Sequence, residues 1–337
     1  MRISVIIPFK DDHYLLKPVL DAIGDEVDEI IIVDDGSQQK LELAQQDKLG
    51  IIRNDTTKGV GYSFDQGVLA AHGDVLLLMG ADVLLKDRKW LKQAVLLSKQ
   101  YPKSIICATC VGIREPTHDW VGRTRRYGAD LLFKVTKADL SATSPYQEHE
   151  EYFDILQSKW RWGKEQDTPY EVPCVLGAAY IISKAWYMYI GGWGYIKPLD
   201  GLTREEKKFC GFKSWGGLEP MISLKSWFAG GSCMVAPQWE TAHMFGRGEH
   251  ATRVRGKRWD DYYFNKLFIA YTLFPEDQAK ILDEHLLKWS TQNKARLMIK
   301  RNWNAIMLEK QFNDYIKEND VYLFRERFNY TVDWLKK

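Results

Sequence analysis

Short runs of apolar residues alternate with longer amphipathic stretches over the first 110 positions of the chain. The apolar runs predict strands at 3–7, 29–33, 50–53, 74–79 and 105–110, and the amphipathic stretches predict helices at 12–23, 61–71 and 90–100. Alternating strands and helices are typical of an α/β fold with a mostly parallel, doubly wound sheet. Such sheets bind ligands at the carboxyl ends of their strands. Because Asp34, Asp35 and Asp82 follow predicted strands directly, we expect a binding site at that edge.

The pattern changes in the second half of the chain. Periodicity fades between positions 111 and 164, and apolar sequence returns at 172–183. A helix is predicted from about Leu218 to the pair Gly230-Gly231, and the spacing of its apolar residues predicts one side that faces the core. From Trp259 onward the sequence predicts helices that are rich in aromatic residues.

The composition indicates a soluble, globular protein. Of the 337 residues, 45% are hydrophobic and 27% are charged, which suits one large domain or two modest ones. The formal net charge of +2 provides no overall attraction to nucleic acid. No apolar run approaches the ~20 residues of a membrane helix, and the first residues predict a strand rather than a signal peptide. We therefore expect a cytoplasmic protein without membrane insertion, and no protein partner is evident.

The segment 215–219 combines a glycine turn with a carboxylate. Trp215, Gly216 and Gly217 predict a tight turn, because glycine adopts backbone angles that a Cβ would forbid. Glu219 follows at the start of the predicted helix, where the helix dipole and the free N–H groups favour the ionised carboxylate. An ionised carboxylate beside such a turn is a candidate general base. The alternative is a glutamate that only caps the helix.

The sequence from Trp215 to Pro237 resembles, without a gap, the WGGEN or WGGED segment of GT-A glycosyltransferases. The resemblance is to the polypeptide N-acetylgalactosaminyltransferases and the bacterial family 2 enzymes. Leu218 departs from the family's usual glutamate. Glu219 occupies the position that inverting relatives fill with a catalytic aspartate and retaining relatives with asparagine. The resemblance therefore implies that Glu219 is the catalytic base of an inverting transfer.

Two N-terminal motifs are similar to signatures of the same family. Val5-Ile-Ile-Pro8 resembles VIIP, and Ile32-Val-Asp-Asp-Gly-Ser37 resembles VDDGS. The resemblance implies a Rossmann-like GT-A domain that binds a UDP-sugar, with one of the two aspartates hydrogen-bonded to the uracil ring. Taken alone, each motif could also be a turn or a helix cap. The nucleotide-binding positions implied by the resemblance are Pro8, Asp34, Asp35, Lys58, Gly61, Ala81, Trp215, Gly216, Gly217 and, in a lid over the nucleotide, Arg253 and Arg255.

Gly80-Ala81-Asp82 stands where the family has Asp-x-Asp or Asp-x-His, whose side chains hold a divalent cation on the donor diphosphate. Gly80 provides no ligand, so Asp82 remains. His243 occupies the position of the metal-binding histidine of the N-acetylgalactosaminyltransferases. One carboxylate oxygen and one imidazole nitrogen suit Mn²⁺ or Mg²⁺, with diphosphate oxygens and water completing the coordination. The resemblance thus implies a metal site at Asp82 and His243.

The resemblance covers residues 1 to about 258, which we interpret as one GT-A domain. Its nucleotide-binding half is expected at 1–110, and its acceptor and donor-sugar half at 111–258. Residues 259–337 are expected to form a helical C-terminal extension that lies outside the resemblance.

The acceptor belongs to one of two classes. Family 2 enzymes that build surface polysaccharides suggest a saccharide. A chain with no membrane segment and a basic, aromatic extension instead resembles the soluble glycosyltransferases, many of them viral, proposed to modify hydroxymethylated pyrimidines in DNA, which would act in the host cytoplasm. We favour DNA carrying 5-hydroxymethylpyrimidines and keep the saccharide as the alternative. The cations that could contact phosphates are Arg123, Arg125, Arg126, Lys294, Arg296, Lys300 and Arg301.

Two further functions are weighed against a transferase. Gly80 and Leu218, at positions that are normally acidic, leave open a non-catalytic module that binds nucleotide sugars. A nucleotidyltransferase is disfavoured, because residues 9–12 contain no glycine-rich, lysine-containing loop after the first strand. Glu219 and His243 lead us to favour an enzyme.

Overall fold

The computed structural model describes residues 1–43, 47–114, 120–132, 156–196, 211, 213, 216–244, 259–286 and 292–330. Within these ranges the chain forms a mixed β-sheet with helices packed on both faces. None of the described helices is long and apolar enough to cross a membrane.

The elements predicted for the first 110 residues are present, with small shifts in their bounds. Each of the predicted strands is largely buried except the third, which lies at the edge of the sheet. The elements are β1 (Ile3–Phe9), α1 (His13–Ile23), β2 (Glu29–Asp34), β3 (Leu49–Arg53), α2 (Val60–Ala70), β4 (Val75–Met79), β5 (Val83–Leu85), α3 (Trp90–Gln100) and β6 (Ser104–Ile113).

The second half adds short strands and a set of helices at its end. The strands are β7 (Arg125–Arg126), β8 (Ala129–Leu132), β9 (Gln157–Trp160), β10 (Tyr170–Glu171), β11 (Ala179–Ser183) and β12 (Ser232–Met244). The helices are α4 (Lys184–Ile190), α5 (Leu218–Phe228), α6 (Trp259–Leu273), α7 (Glu276–Leu286), α8 (Gln292–Arg301), α9 (Trp303–Ile316) and α10 (Val321–Arg327).

The main sheet has the strand order β10-β12-β6-β11-β4-β1-β2-β3. Strands β1, β2, β3 and β4 are parallel and form the doubly wound half that the alternating pattern predicts. Strand β11 is antiparallel to both of its neighbours, β4 and β6. The apolar sequence at 172–183 carried no information about the direction of a strand, so this part of the topology could not be read from the sequence.

The register of β12 changes close to the edge of the sheet that carries the predicted site residues. β12 runs parallel to β6, and its register shifts between Ala236 and Glu240. Beyond this bulge β12 continues along β6 and also pairs with β5. Bulges of this kind re-aim side chains near sheet edges. Here the last residues of β12 reach the loop that follows β4.

The two faces of the sheet bury separate apolar clusters. One cluster packs α1 and α3 against the sheet, and the other joins α2, α4 and α5 to the C-terminal helices. Helix α5 is buried from Pro220 to Phe228, including Lys225. The prediction of a single core-facing side was therefore wrong, because α6 and α10 cover the side of α5 that faces away from the sheet. The boundary predicted at residue 258 lies outside the described residues and stays a prediction.

Candidate active site

The two predicted metal ligands lie side by side at the carboxyl-end edge of the sheet. Asp82 immediately precedes β5, and His243 pairs with Val83 across the antiparallel β5–β12 contact. The Met244 N–H donates a 3.0 Å hydrogen bond to the Asp82 carbonyl and holds the two segments together. The distance between His243 Nε2 and Asp82 Oδ2 is 3.5 Å, and both side chains are partly exposed.

This pair of side chains fits a divalent cation. Two neighbouring ligands bonded to one metal at about 2.1 Å lie roughly 3.0–3.5 Å apart, which agrees with the separation found here. A Cβ on Gly80 would lie 2.4 Å from Asp82 Oδ1, so glycine provides the space that the Asp82 carboxylate occupies. Among the described residues, no group of three or more His, Cys, Asp or Glu side chains could hold a metal ion. Oxygens of a bound substrate or water would therefore complete the coordination.

Glu219 is connected to the loop that carries Asp82 through two small residues, Gly177 and Ala178. A Cβ on Gly177 would lie 2.0 Å from Glu219 Oε1, so the carboxylate rests directly on the Gly177 backbone. The next residue, Ala178, accepts a 3.3 Å hydrogen bond from the Gly80 N–H. Glu219, residues 177–178 and the loop that carries Asp82 therefore form one continuous stretch of the site.

The environment of Glu219 opposes ionisation more than its place at a helix start predicts. Glu219 does lie in the first turn of α5, but it is partly buried rather than exposed. Burial raises the pKa of the Glu219 carboxyl, and this effect outweighs the hydrogen bonds from its own N–H and from the Tyr180 hydroxyl, which act in the opposite direction. A raised pKa brings a carboxyl closer to neutral pH, where a general base works most effectively.

Asp34 is engaged within the protein. Its carboxylate accepts a 2.8 Å hydrogen bond from the Ser37 N–H and forms an ion pair with Arg53 at the end of β3. Burial alone would raise the pKa of Asp34, but the Ser37 hydrogen bonds and the Arg53 charge outweigh it and lower the pKa. Asp34 thus joins the ends of β2 and β3 as an ionised carboxylate.

Asp35 joins the same strand edge to the start of α2. It accepts hydrogen bonds of 2.8 Å from the backbone N–H groups of Lys58 and Gly59 and from the Asn54 amide. These contacts satisfy N–H groups at the helix N-terminus, as a capping carboxylate does. The contact between uracil and one of the two aspartates remains a prediction.

Gly61 allows a close approach between α2 and the start of α5. A Cβ on Gly61 would lie 3.1 Å from Trp193 Cβ and 3.3 Å from Leu218 Cδ2. The Trp193 indole N–H donates a 3.0 Å hydrogen bond to the Leu218 carbonyl. Leu218, which departs from the family's glutamate, therefore packs against apolar neighbours next to Glu219.

Asp65, in α2, is fully buried. Its carboxylate accepts hydrogen bonds from the Tyr187 hydroxyl (2.5 Å) and from the backbone N–H groups of Trp193 (3.1 Å) and Tyr195 (2.9 Å). Desolvation, opposed by these donors and by the nearby charge of Lys225, raises the pKa of Asp65 to about 6. The carboxylate fixes the loop that presents Trp193 to the site.

A buried ion pair supports the same loop from the other side. Lys225 Nζ lies 2.9 Å from Glu309 Oε1 and donates a 3.0 Å hydrogen bond to the Gly192 carbonyl. Glu309 belongs to α9, so the pair connects the C-terminal helices to α5. No sequence signal identified it, since a lysine in a helix is expected at the surface.

Two aromatic side chains of the predicted acceptor half flank the Arg126 guanidinium. The Arg126 guanidinium stacks 4.3 Å from the ring centre of Trp160 and 5.0 Å from that of Trp162. Both tryptophans are exposed, at 39% and 53%. The Cys110 thiol contacts both the Arg126 side chain and the backbone N–H of His243. Arg126 and the His243 backbone therefore contact the same buried thiol.

Several of the cations predicted to contact DNA carry a carboxylate partner. Arg123 donates to the Gly112 carbonyl, while Lys300 and Arg301 are exposed. The intramolecular ion pairs are Arg125–Glu240, Lys294–Asp260 and Arg296–Asp283.

The remaining predicted positions divide into two groups. Pro8 is buried at the end of β1, Ala81 is buried beside Asp82, and the exposed Lys58 side chain lies just before α2, all at the same edge of the sheet. Trp215, Arg253 and Arg255 lie outside the described residues. Sequence reasoning missed Arg53, Asn54 and Tyr180. Arg53 ends a predicted strand and Asn54 follows it, and that position could have identified them.

Two grooves lie elsewhere on the molecule, at the amino ends of β6 and β12. Their volumes are ≈ 550 and ≈ 760 Å³, and both are lined by Tyr101, Glu171 and Arg327. Neither is lined by Asp82, Glu219 or His243.

Known proteins share both sequence and fold with this chain. The model of the family described as Glycosyl transferase family 2 matches residues 4–160. Polypeptide N-acetylgalactosaminyltransferase 4 of Caenorhabditis elegans is 24% identical over 229 residues, which cover 64% of this chain and 33% of that protein. Human polypeptide N-acetylgalactosaminyltransferase 14 is 22% identical over 251 residues, covering 72% of this chain and 40% of that protein. The chain thus corresponds to well under half the length of these relatives.

A solved structure extends the similarity along nearly the whole chain. The crystal structure of GalNAc-T7 with UDP, GalNAc and Mn²⁺ superposes with a TM-score of 0.62 over 98% of this chain and 57% of that one, at 16% sequence identity. The family match at 4–160 and this shared fold agree with the motifs at Pro8, Asp34–Asp35 and Gly216–Gly217. The similarity therefore comprises a Glycosyl transferase family 2 match over residues 4–160, just under half of the chain, and a fold shared with GalNAc-T7.

Proposed function

We propose that this chain transfers a sugar from a UDP-sugar to an acceptor hydroxyl with the help of a divalent cation. The observation that carries the proposal is the juxtaposition of Asp82 and His243, 3.5 Å apart, with Glu219 reached through Gly177 and Ala178. UDP-N-acetylgalactosamine is the first donor to test, because the sequence relatives are named for that sugar and GalNAc-T7 was crystallised with UDP, GalNAc and Mn²⁺.

In this proposal the residues of the chain have separate roles. Asp82 and His243 would hold Mn²⁺ or Mg²⁺, which neutralises charge on the departing diphosphate. The strand ends that carry Pro8 and the Asp34–Arg53 ion pair would receive the nucleotide. Gly177 and Ala178 lack bulky side chains, so the sugar can approach the backbone beside Glu219.

Glu219 would act as the general base of an inverting transfer. Its carboxylate takes the proton of the acceptor hydroxyl while that oxygen forms a bond to the anomeric carbon and the bond to the UDP oxygen breaks. The raised pKa supports this role, since a base with a pKa nearer neutrality accepts the proton more readily. The Tyr180 hydroxyl donates to the carboxylate and would hold its orientation.

The acceptor favoured from the sequence is DNA carrying 5-hydroxymethylpyrimidines. The exposed rings of Trp160 and Trp162, which flank Arg126, support an acceptor that stacks on aromatic faces, as a flipped base does. The ion pairs of Arg125, Lys294 and Arg296 reduce the charge that remains for phosphates. We therefore propose the alternative acceptor, a saccharide. Its ring can stack on the same indoles, and it has no phosphates that would need a cationic surface.

A matched panel of donors and acceptors tests the proposal. Labelled UDP-sugars with Mn²⁺ would be incubated with oligosaccharides, serine/threonine peptides and DNA containing hydroxymethylcytosine or hydroxymethyluracil. We expect label on an oligosaccharide and none without metal. Label on DNA alone would restore the DNA proposal, and label on the peptide would indicate a protein acceptor. A protein that binds UDP yet consumes no UDP-sugar in any arm would be a binding module.

A further inference from the structure

Helix α6 of the C-terminal region holds the glycine turn Gly216–Gly217, from which α5 and Glu219 begin. We propose that Asn265 of α6 is a positioning residue that fixes this turn and, through it, the placement of Glu219. The inference rests on the proposed transferase function and assigns a role in it to a helix outside the family match at 4–160.

Asn265 binds the backbone just before the turn, at Lys213, and within it, at Gly216. Its Oδ1 accepts a 2.7 Å hydrogen bond from the Lys213 N–H, and its Nδ2 donates a 2.9 Å hydrogen bond to the Gly216 carbonyl. A longer contact of 3.4 Å joins Nδ2 to the Lys213 carbonyl. The Asn265 side chain is completely buried, so water could not replace these partners at low cost.

The Tyr262 ring of α6 also packs against the turn, at Gly216. A Cβ on Gly216 would lie 2.3 Å from Tyr262 Cδ2, so the ring occupies the space that glycine leaves open. The fully buried Lys266 lies 4.6 Å from the centre of the same ring. Gly216 has a φ of 92°, a backbone conformation that favours glycine. Both the conformation and the close approach of α6 therefore require glycine at this position.

The Gly216–Gly217 turn determines where α5 begins. Gly217, with a φ of 75°, is the N-cap residue of α5, and its carbonyl accepts a 3.1 Å hydrogen bond from the Met221 N–H. Glu219 lies between these two residues, so a shift of Gly217 moves the Glu219 carboxylate over Gly177. Displacing a reacting group by about 1 Å can reduce the rate by roughly 100-fold.

Asn265→Leu tests this role, with Asn313→Leu as the matched control. Asn313 is also a buried asparagine of the C-terminal helices, but its Nδ2 donates to the Thr272 carbonyl, away from the turn. We expect Asn265→Leu to lower kcat for sugar transfer by about 10- to 100-fold while the KM for UDP-sugar and the Kd for UDP change less than about threefold. Asn313→Leu should leave kcat within about threefold of the parent.

A second variant and a second readout keep the test independent of folding and of the proposed activity. Asn265→Asp retains the side-chain volume and the acceptor for the Lys213 N–H but removes the donor to Gly216, and it should also lower kcat. Amide hydrogen exchange of the peptide spanning 216–221 should accelerate in both Asn265 variants and not in Asn313→Leu. Unchanged exchange and unchanged kcat in the Asn265 variants, or equal effects in Asn313→Leu, would overturn the assignment. Inactivity of the parent protein would count against the proposed function, while the exchange measurement would still decide the role of Asn265.

Discussion

Replacing Glu309 with glutamine should destabilise the whole protein, although Glu309 is not among the predicted substrate-binding residues. Lys225 and Glu309 form a 2.9 Å ion pair in which the side chains are 0% and 1% exposed. Glutamine keeps an oxygen that can accept from Lys225 but removes the negative charge. The Lys225 ammonium would then remain buried without that carboxylate, which is the costly way to break a buried ion pair.

The expected size of this effect follows from the burial of the pair. Removing one partner of a buried ion pair costs about 3–5 kcal/mol. For a chain of 337 residues, an unfolding entropy of roughly 2.1 cal/mol/K per residue gives about 0.7 kcal/mol/K. Dividing the two predicts that the midpoint of thermal unfolding falls by about 4–7 °C, provided that the chain unfolds cooperatively.

Thermal unfolding followed by calorimetry, with two control variants, tests this prediction. Asp21→Asn breaks the 2.7 Å pair Lys17–Asp21, whose side chains are 83% and 64% exposed, and should shift the midpoint by less than about 1 °C. The double variant Lys225→Met with Glu309→Leu removes both charges and should recover most of the loss. A midpoint for Glu309→Gln within about 1 °C of that for Asp21→Asn would refute the reasoning.

Two further predictions concern titratable groups. Because the pKa of Glu219 is raised above 4.5, the rate of transfer should fall with decreasing pH at a pH above the usual glutamate range, and Glu219→Gln should lose roughly 10²–10⁴-fold in rate together with this limb. A variant near full activity, or a product that keeps the anomeric configuration of the donor, would contradict the assignment. The pKa of Asp65 is raised from 3.8 to about 6. Between these two pH values the folded state therefore holds a proton that the unfolded state has released. Its contribution to stability is present below pH 3.8 and is lost as pH rises to about 6, a change of about 3 kcal/mol. Denaturant titrations of Asp65→Asn between pH 4 and 7 should show a smaller decline than the parent, and an equal decline would contradict this prediction.

The strands and helices of the first part of the chain could be predicted from the sequence, because they depend on residues that are close to one another in the chain. Apolar runs and helical spacing predicted β1, β2, β4 and α3 close to their observed bounds. The resemblance to the GT-A family, and no local pattern, implied that Asp82 and His243 come together, and they lie 3.5 Å apart.

Features that depend on distant parts of the chain were not readable. The direction of β11 follows from the space between β4 and β6, which no local pattern encodes. The raised pKa of Glu219 arises from burial by surrounding elements, whereas the sequence showed only the helix start. The burial of Lys225 likewise requires Glu309, which lies 84 residues further along the chain.

The metal site at Asp82 and His243 is the central claim, and the effect of Mn²⁺ on UDP affinity tests it most directly. Isothermal titration calorimetry would compare the parent protein with Asp82→Ala and His243→Ala, each with and without Mn²⁺. The parent should bind UDP more tightly with Mn²⁺, and each variant should lose this gain by at least about tenfold while keeping its metal-free affinity. If both variants bind UDP with Mn²⁺ as tightly as the parent does, the metal assignment is wrong.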